Sequence, residues 1–222
     1  MVIALGVTLG GEKVVLGFVQ TGRENAVACA PSSGLVERGL RVEEGLLMVV
    51  DGSKGLSRAV REVFGAQAVV QRCTGHTREN VVSYLPKGQQ DLWRAKLQRA
   101  WRGSTYEAAW AELRRLHQEL KTVNEDAAHS LAEGLEETLT LHRLGVAEAL
   151  GGSLGTTNCL ESILFQVDRR VHRVSRRTSS DQKRRSVSCG ASGRGTQAGT
   201  GPRISGSPAA TSCLAESRKT GV

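Results

Sequence analysis

The sequence predicts an α/β sheet followed by a long helical region. The run Leu46–Val50 is continuously apolar, which is typical of a strand buried on both faces. Helical spacing over residues 56–64 and a second apolar run at 68–70 follow it directly. A strand, a helix and a strand in this order give two parallel strands joined by a crossover, and therefore an α/β sheet.

Two further strands are predicted ahead of this unit. Residues 3–8 and 13–20 are rich in Val, Leu and Ile, and the turn sequence at 9–12 separates them, so we expect a β-hairpin. Residues 24–40 are predicted to form a helix that ends near Gly39, although the stretch from Pro31 to Ser33 interrupts it.

The middle of the chain is predicted to be helical. Between residues 88 and 150, three apolar stripes repeat at helical spacing, which indicates amphipathic helices in a bundle-like insertion. The last stripe is Leu131, Leu135, Leu139 and His142. Residues 151–155 are predicted to form a loop, and residues 158–171 a further helix.

The end of the chain carries most of the positive charge. Residues 169–222 contain 12 Lys and Arg against 2 Asp and Glu, whereas the remaining residues carry 18 basic and 20 acidic side chains. Periodicity stops after Arg185, and Ser and Gly dominate residues 186–222, so we expect this tail to be disordered. The basic side chains of the tail can contact phosphates without specificity. A basic flank that is only solvated explains the charge equally well.

Cysteine usage and hydropathy exclude some classes of protein. The five cysteines are odd in number and scattered, which argues against a disulfide framework and for a reducing compartment. No stretch is apolar enough for a membrane span, and no signal-peptide pattern is present.

Asp51 is a candidate catalytic carboxylate because it ends the apolar run 46–50. The carboxyl ends of parallel strands are where ligands gather in open α/β sheets, and a carboxylate there can hold a hard cation such as Mg²⁺. From the pattern alone, a simple turn formed by Asp51 and Gly52 explains the residue better.

Glu161 is the second candidate carboxylate, at the border of the apolar stripe on the last predicted helix. A carboxylate at such a border can point into a cleft. The competing interpretation is a capping box, in which Asn158 caps the helix and Glu161 reaches back to the backbone. The pattern alone favours the cap.

Cys73 and His76 have the spacing of half a zinc site, but no second pair completes four ligands. A thiol–imidazole nucleophile is another possibility, and local packing explains the pair better than either. The stretch from Asp51 to Ser57 lacks the spacing of a phosphate-binding loop.

Four stretches together resemble the mutator-type transposases of bacterial insertion sequences. They are ALGV at 4–7 with VVLGF at 14–18, LMVVDGSKGL at 47–56, QRCTGHTRENV at 71–81, and TTNCLES at 156–162. The last two are similar to the QRCxxHKxRN-type and TTNxxE segments of the family. Gly75 and Thr77 depart from the family pattern, which commonly has a bulky residue and Lys there, and Pro31 breaks a helix that should be continuous.

This resemblance implies an RNase H-like mixed sheet with an all-α insertion before the helix of the catalytic glutamate. It implies Asp51 and Glu161 as metal ligands and catalytic residues, with Cys73, His76 and Asn158 in support. It also implies two Mg²⁺ ions, DNA as the partner at element ends and target sites, homo-oligomers of the full-length protein, and location in the bacterial cytoplasm near the nucleoid. Phosphate contacts are expected from Arg169, Arg170, Arg173, Arg176 and Arg177.

The same resemblance divides the chain into four parts. We expect a partial catalytic core at 1–87 that lacks the first strand and first aspartate, a helical insertion at 88–150, the glutamate helix and its flank at 151–185, and an out-of-frame tail at 186–222. A core without its first carboxylate is expected to be inactive alone. Two alternatives remain: a non-catalytic remnant that associates with or inhibits a full-length transposase, and a general RNase H-like nuclease.

Overall fold

The structure is a computed structural model that describes residues 2–7, 13–19, 40, 42–43, 45–158, 160–162, 165 and 211–216. The predicted helix at 24–40 therefore lies outside the described residues, apart from Leu40. Among the residues described, no helix combines the length and apolar character needed to cross a membrane.

The described strands form one five-stranded mixed sheet in the order β2-β1-β5-β3-β4. They are β1 Val2–Val7, β2 Lys13–Val19, β3 Leu46–Val50, β4 Ala68–Arg72 and β5 Thr211–Glu216. β1 and β2 pair antiparallel, which confirms the predicted hairpin. β3 and β4 pair in parallel, which confirms the predicted crossover unit.

Strand β5 corrects the expectation of disorder for one part of the tail. It lies between β1, to which it is antiparallel, and β3, to which it is parallel. Tail residues 186–210 and 217–222 lie outside the described residues. Composition could not reveal this strand, because β5 has no apolar alternation of its own. Its backbone N–H and C=O groups find partners on both neighbouring strands instead.

Helices cover the sheet and continue into a helical layer. They are α1 Lys54–Phe64, α2 Thr74–Ser83, α3 Lys87–Ala100, α4 Tyr106–Val123, α5 Glu125–Ala132, α6 Thr140–Arg143 and α7 Ala147–Leu154. The side chain of Ser53 caps α1 by accepting a hydrogen bond from the backbone N–H of Leu56. Residues 158, 160–162 and 165 are also helical and are called the Glu161 helix below.

The helical layer has its own apolar core, in agreement with the predicted bundle. Trp93, Leu97, Leu113, Leu116 and Leu120 are buried together with residues of α2 and α5. A second cluster joins α1 to one side of the sheet, and a third joins Leu5 and Val49 to Leu141, Leu154 and Leu160. The third cluster places the Glu161 helix against the sheet.

Two sequence expectations about this layer were wrong. The stripe from Leu131 to His142 is not one helix, because Gly134 adopts a positive φ of 69° and divides α5 from α6. The predicted loop at 151–155 is helical as far as Leu154. Leu154 is 5% exposed, so burial of this side chain offsets the low helix propensity of the two glycines before it.

Candidate active site

Asp51 follows β3 directly and lies at the carboxyl end of the parallel strands. Its Oδ1 accepts a hydrogen bond from the backbone N–H of Ser53 at 3.0 Å. Gly52 has a φ of 99°, a conformation that residues with a side chain rarely adopt. The predicted Asp-Gly turn is therefore present, and it holds the carboxylate at the edge where the sheet ends.

Arg72, the last residue of β4, fixes this turn to the helical layer. Its guanidinium donates hydrogen bonds to the carbonyl oxygen of Gly52 and to Oε1 of Glu133, both at 3.2 Å. A Cβ at Gly52 would lie 2.9 Å from Nε of Arg72, and a Cβ at Gly134 would lie 2.2 Å from its Nη1. Both glycines are therefore needed for the guanidinium to fit between them.

Gln71 ties the same strand to the end of the helical layer. Its amide nitrogen donates to the carbonyl oxygen of Thr138 at 2.9 Å, and its amide oxygen accepts from the backbone N–H of Leu141 at 3.0 Å. Gln71 is 1% exposed, so these bonds satisfy a polar group that water cannot reach.

Cys73 is fully buried between β4 and α2. Its sulfur caps α2 by accepting from the backbone N–H of His76 at 3.4 Å, and it also accepts from the backbone N–H of Thr157 at 3.3 Å. Burial by itself raises the pKa of the thiol, but hydrogen bonds from His76 and Thr157 outweigh it and leave the pKa below its ordinary value.

His76 forms the opposite half of this pair. Its Nδ1 lies 3.3 Å from Sγ of Cys73. The hydrogen bond with Cys73 raises the pKa of the imidazole; burial opposes this rise, and the negative charges of Cys73, Asp51 and Glu161 add to it.

Thr157 joins the Glu161 helix to this pair. Its hydroxyl donates to Oε1 of Glu161 at 3.1 Å and lies 3.1 Å from Nδ1 of His76 and 3.4 Å from Sγ of Cys73. Glu161 Oε1 is itself 3.7 Å from Nδ1 of His76, and about half of the Glu161 side chain is exposed. The carboxylate is thus held from one side and open to solvent on the other.

The capping box predicted for Asn158 and Glu161 is absent from the described contacts. The helix already includes residue 158, and the backbone N–H groups of Leu160 and Glu161 both bond to the carbonyl oxygen of Thr157. Thr157 therefore precedes the first turn, and the Glu161 carboxylate is one position too far along for a capping box.

A second pair of contacts docks the residues before Thr157 onto the start of α2. The backbone N–H and the hydroxyl of Thr74 both donate to the carbonyl oxygen of Gly155 at 3.0 Å. These bonds and the Cys73–Thr157 contacts fix where the Glu161 helix begins.

Cys73, His76 and Glu161 therefore lie together around Thr157, and Asp51 follows Val50, whose carbonyl oxygen accepts a hydrogen bond from the backbone N–H of Cys73. Asn158 is exposed and has no contact with this group among the described hydrogen bonds. The five arginines predicted to contact DNA, from Arg169 to Arg177, lie outside the described residues. Gln71, Arg72 and Thr157 were not predicted as site residues, although the first two directly precede Cys73 in one motif.

The donor chemistry suits a hard divalent cation only in part. Asp51 and Glu161 offer carboxylate oxygens, the ligand type that Mg²⁺ prefers. In the part of the chain that the structure describes, no group of three or more His, Cys, Asp or Glu side chains is arranged to hold a metal ion. The described residues thus supply oxygen ligands of the right type but too few for a closed site.

Comparison with known proteins identifies the family of the chain. The family model "Transposase, Mutator family" matches residues 1–182. The transposase for insertion sequence element IS905 of Lactococcus lactis subsp. lactis (strain IL1403) is 26% identical over 170 residues, which cover 76% of this chain and 42% of the relative.

Two further transposases are similar at the same level. The one for insertion sequence element IST2 of Acidithiobacillus ferrooxidans is 27% identical over 175 residues, or 78% of this chain and 58% of the relative. The one for insertion sequence element IS6120 of Mycolicibacterium smegmatis is 26% identical over 168 residues, which cover 75% of this chain and 50% of the relative. The chain spans about half the length of these curated relatives. Because the family model covers most of its residues, the chain belongs to the mutator family of transposases.

Proposed function

We propose that this chain supplies part of the catalytic core of an insertion-element transposase with an RNase H-like sheet, and that it acts on DNA with a divalent cation such as Mg²⁺. One observation carries the proposal. The backbone N–H of Cys73 donates to the carbonyl oxygen of Val50, directly before Asp51, at 2.7 Å, and Oε1 of Glu161 lies 3.7 Å from Nδ1 of His76, so the Cys73–His76 pair contacts the segments of both carboxylates. Convergent oxygen ligands are what metal-assisted phosphoryl transfer requires.

The two carboxylates would hold the cation, and their settings suit that task. The turn at Gly52 and the hydrogen bond from Ser53 fix the position of Asp51. The exposed half of Glu161 leaves one side open to a DNA phosphate. When bound, divalent cations polarise phosphoryl oxygens and help to activate the attacking hydroxyl group.

Cys73 and His76 act as positioning residues in this proposal. Through Thr157, the pair sets where the Glu161 helix starts, and its hydrogen bonds hold the Glu161 carboxylate near the His76 ring. The substrate of the proposed catalytic core would be the DNA of element ends and target sites, in line with the names of the relatives.

The experiment is a titration of the purified chain with Mg²⁺ and Mn²⁺ by calorimetry. We expect Asp51→Asn and Glu161→Gln each to weaken cation binding by about tenfold or more, because each removes one of few oxygen ligands. The control is Glu107→Gln, which removes an exposed carboxylate from the first turn of α4. Equal binding by all three variants would refute the site.

A cleavage assay tests the activity of the chain by itself. We expect no Mg²⁺-dependent nicking of element ends by this chain alone, because two carboxylates are one fewer than the family pattern implies. Nicking that Asp51→Ala abolishes would overturn that expectation and would still support Asp51 as a catalytic residue.

A further inference from the structure

A cleft of about 600 Å³ lies beside the candidate active site. The start of α2 forms one wall, the turn after α3 forms the second, and α7 forms the third. Thr156 and Asn158, which flank Thr157, also line it. The cleft therefore opens next to the segment that carries Glu161.

One wall of the cleft presents a tryptophan ring that is held in place. Trp101 is partly buried, and its indole Nε1 donates to Oγ1 of Thr138 at 3.0 Å. Thr138 is 1% exposed, and its hydroxyl donates in turn to the carbonyl oxygen of Leu135 at 2.6 Å. The ring needs little ordering before a flat ligand stacks on it.

The wall formed by α7 has room for such a ligand. Gly151 and Gly152 of α7 line the cleft, and a Cβ built on either one meets no atom within 4 Å. These glycines leave open space where side chains would otherwise stand.

The rim of the cleft has polar and basic groups. Arg102 follows Trp101 directly and is exposed, and its guanidinium has no ion pair or hydrogen bond among the described residues. Arg78 lies on the α2 side and is paired with Glu79. The amides of Gln98 and Asn158 are exposed at the same cleft, and Glu148 is the acidic member of the lining.

We propose that this cleft binds an unpaired DNA base next to the cleaved phosphate. The base stacks on Trp101, and Arg102 contacts the adjoining phosphate. A fixed aromatic ring, an unpaired guanidinium and side-chain amides are the groups that hold single-stranded nucleic acid. The inference rests on the proposed function, since DNA at Asp51 and Glu161 is what brings a strand to the cleft.

The test uses the full chain and a short single-stranded oligodeoxynucleotide that contains 2-aminopurine, in buffer with EDTA. Anisotropy gives the affinity, and loss of 2-aminopurine fluorescence reports stacking. We expect Trp101→Leu and Gly151→Phe each to weaken binding by about tenfold and to restore the fluorescence. Gly151→Phe fills the cleft from a position with open space, so it decides the matter if Trp101→Leu does not fold.

Matched variants separate the cleft from general charge and packing. The control for Trp101→Leu is Trp110→Leu, because Trp110 stacks on Tyr106 instead, with ring centroids 6.1 Å apart. Arg102→Gln should weaken binding more than Arg114→Gln, an exposed arginine of α4. Unchanged affinity in folded Gly151→Phe, or equal binding of a blunt duplex without quenching, would overturn the proposal.

The result is independent of the cation site, because EDTA removes divalent ions. Single-strand binding that depends on Trp101 while Asp51→Asn leaves cation binding unchanged would support the cleft and refute the proposed metal site. Single-strand binding that does not depend on Trp101, together with weaker cation binding by Asp51→Asn, would refute the cleft and leave the metal site supported.

Discussion

The backbone N–H of Thr157 donates a hydrogen bond to Sγ of Cys73 over 3.3 Å. This contact joins the end of β4 to the first residue before the Glu161 helix. The Thr157 hydroxyl reaches the same sulfur, the His76 ring and the Glu161 carboxylate. One buried threonine thus sets the distance between the Cys73–His76 pair and a proposed metal ligand.

The first prediction removes that hydroxyl. Thr157→Val keeps the shape of the side chain but removes the donor to Glu161, so we expect the free energy of unfolding to fall by about 1–2 kcal/mol. Cation affinity should fall as well, because Glu161 loses the bond that orients it. Urea unfolding and calorimetry measure both effects, and Thr156→Val is the neighbouring control. Equal loss in the two variants would contradict the role given to Thr157.

The second prediction concerns the charge of His76. Cys73→Ser retains a side-chain cap for α2 but replaces the thiol whose hydrogen bond is the largest cause of the raised pKa of His76. NMR titration should show this pKa above 6.5 in the parent chain and lower in the variant. His117, whose pKa is lowered by burial and by Lys121, is the internal reference and should not move.

The third prediction concerns the ion pair that holds the Asp51 turn. Arg72→Met leaves the Glu133 carboxylate without its buried partner, and we expect a loss of about 2 kcal/mol in the free energy of unfolding. The loss is not larger because Glu133 is one-third exposed and also pairs with Lys54. Arg115→Met breaks an exposed pair with Glu112 and should cost less than about 1 kcal/mol.

The stabilisation from the Arg72–Glu133 ion pair should also depend on pH. Burial by itself raises the pKa of Glu133, but the hydrogen bonds and charges of Arg72 and Lys54 outweigh it and leave the pKa below 4.5. Because the pKa of Glu133 is lower in the folded chain than in the unfolded chain, this group contributes its full stabilisation at pH values above the unfolded pKa. The contribution is lost as the pH falls below 4.5 and passes through the pKa of the folded state. Urea unfolding across this pH range should show that the free energy of unfolding falls less steeply with acid in Arg72→Met than in the parent chain. An unchanged pH dependence would contradict the role of Arg72 in lowering the pKa of Glu133.

Sequence periodicity was sufficient for the elements that bury their own apolar residues. The hairpin, β3, α1 and β4 were predicted because apolar spacing in each segment reports the face that it packs. The proposed roles of Asp51 and Glu161 followed from resemblance, since the pattern alone favoured a turn and a cap. Arg72 and Thr157 were missed because their partners, Gly52 and Cys73, lie far away in sequence, and spacing within one segment carries no information on such contacts.

Strand β5 was missed for a related reason, and its place in the sheet gives the fourth prediction. β5 pairs with β1 on one side and β3 on the other. Leu214→Pro removes a backbone donor in the middle of this strand, so we expect a loss of about 3 kcal/mol or more in the free energy of unfolding. Thr220→Pro, beyond the end of β5, is the control. Equal stability of the two variants would exclude β5 from the sheet.

The fifth prediction adds a carboxylate beside Asp51. β3 and β5 pair with Val49 opposite Cys213 and Val50 opposite Leu214, and Asp51 and Ala215 are the next residues along the two segments. Their backbone positions therefore follow the same end of the parallel pair. Ala215→Asp should therefore raise affinity for Mn²⁺ on the order of tenfold, because hard cations bind more tightly as carboxylate ligands are added.

The control for this gain is Thr211→Asp, which adds the same charge to the same strand but opposite Leu47, at the far end of the pairing. Calorimetry of both variants separates a local ligand from a general increase in negative charge. A gain in Ala215→Asp that Asp51→Asn abolishes would place the two carboxylates at one cation. An equal gain in Thr211→Asp would attribute the effect to net charge, and the register of β5 beside Asp51 would then have no bearing on metal binding.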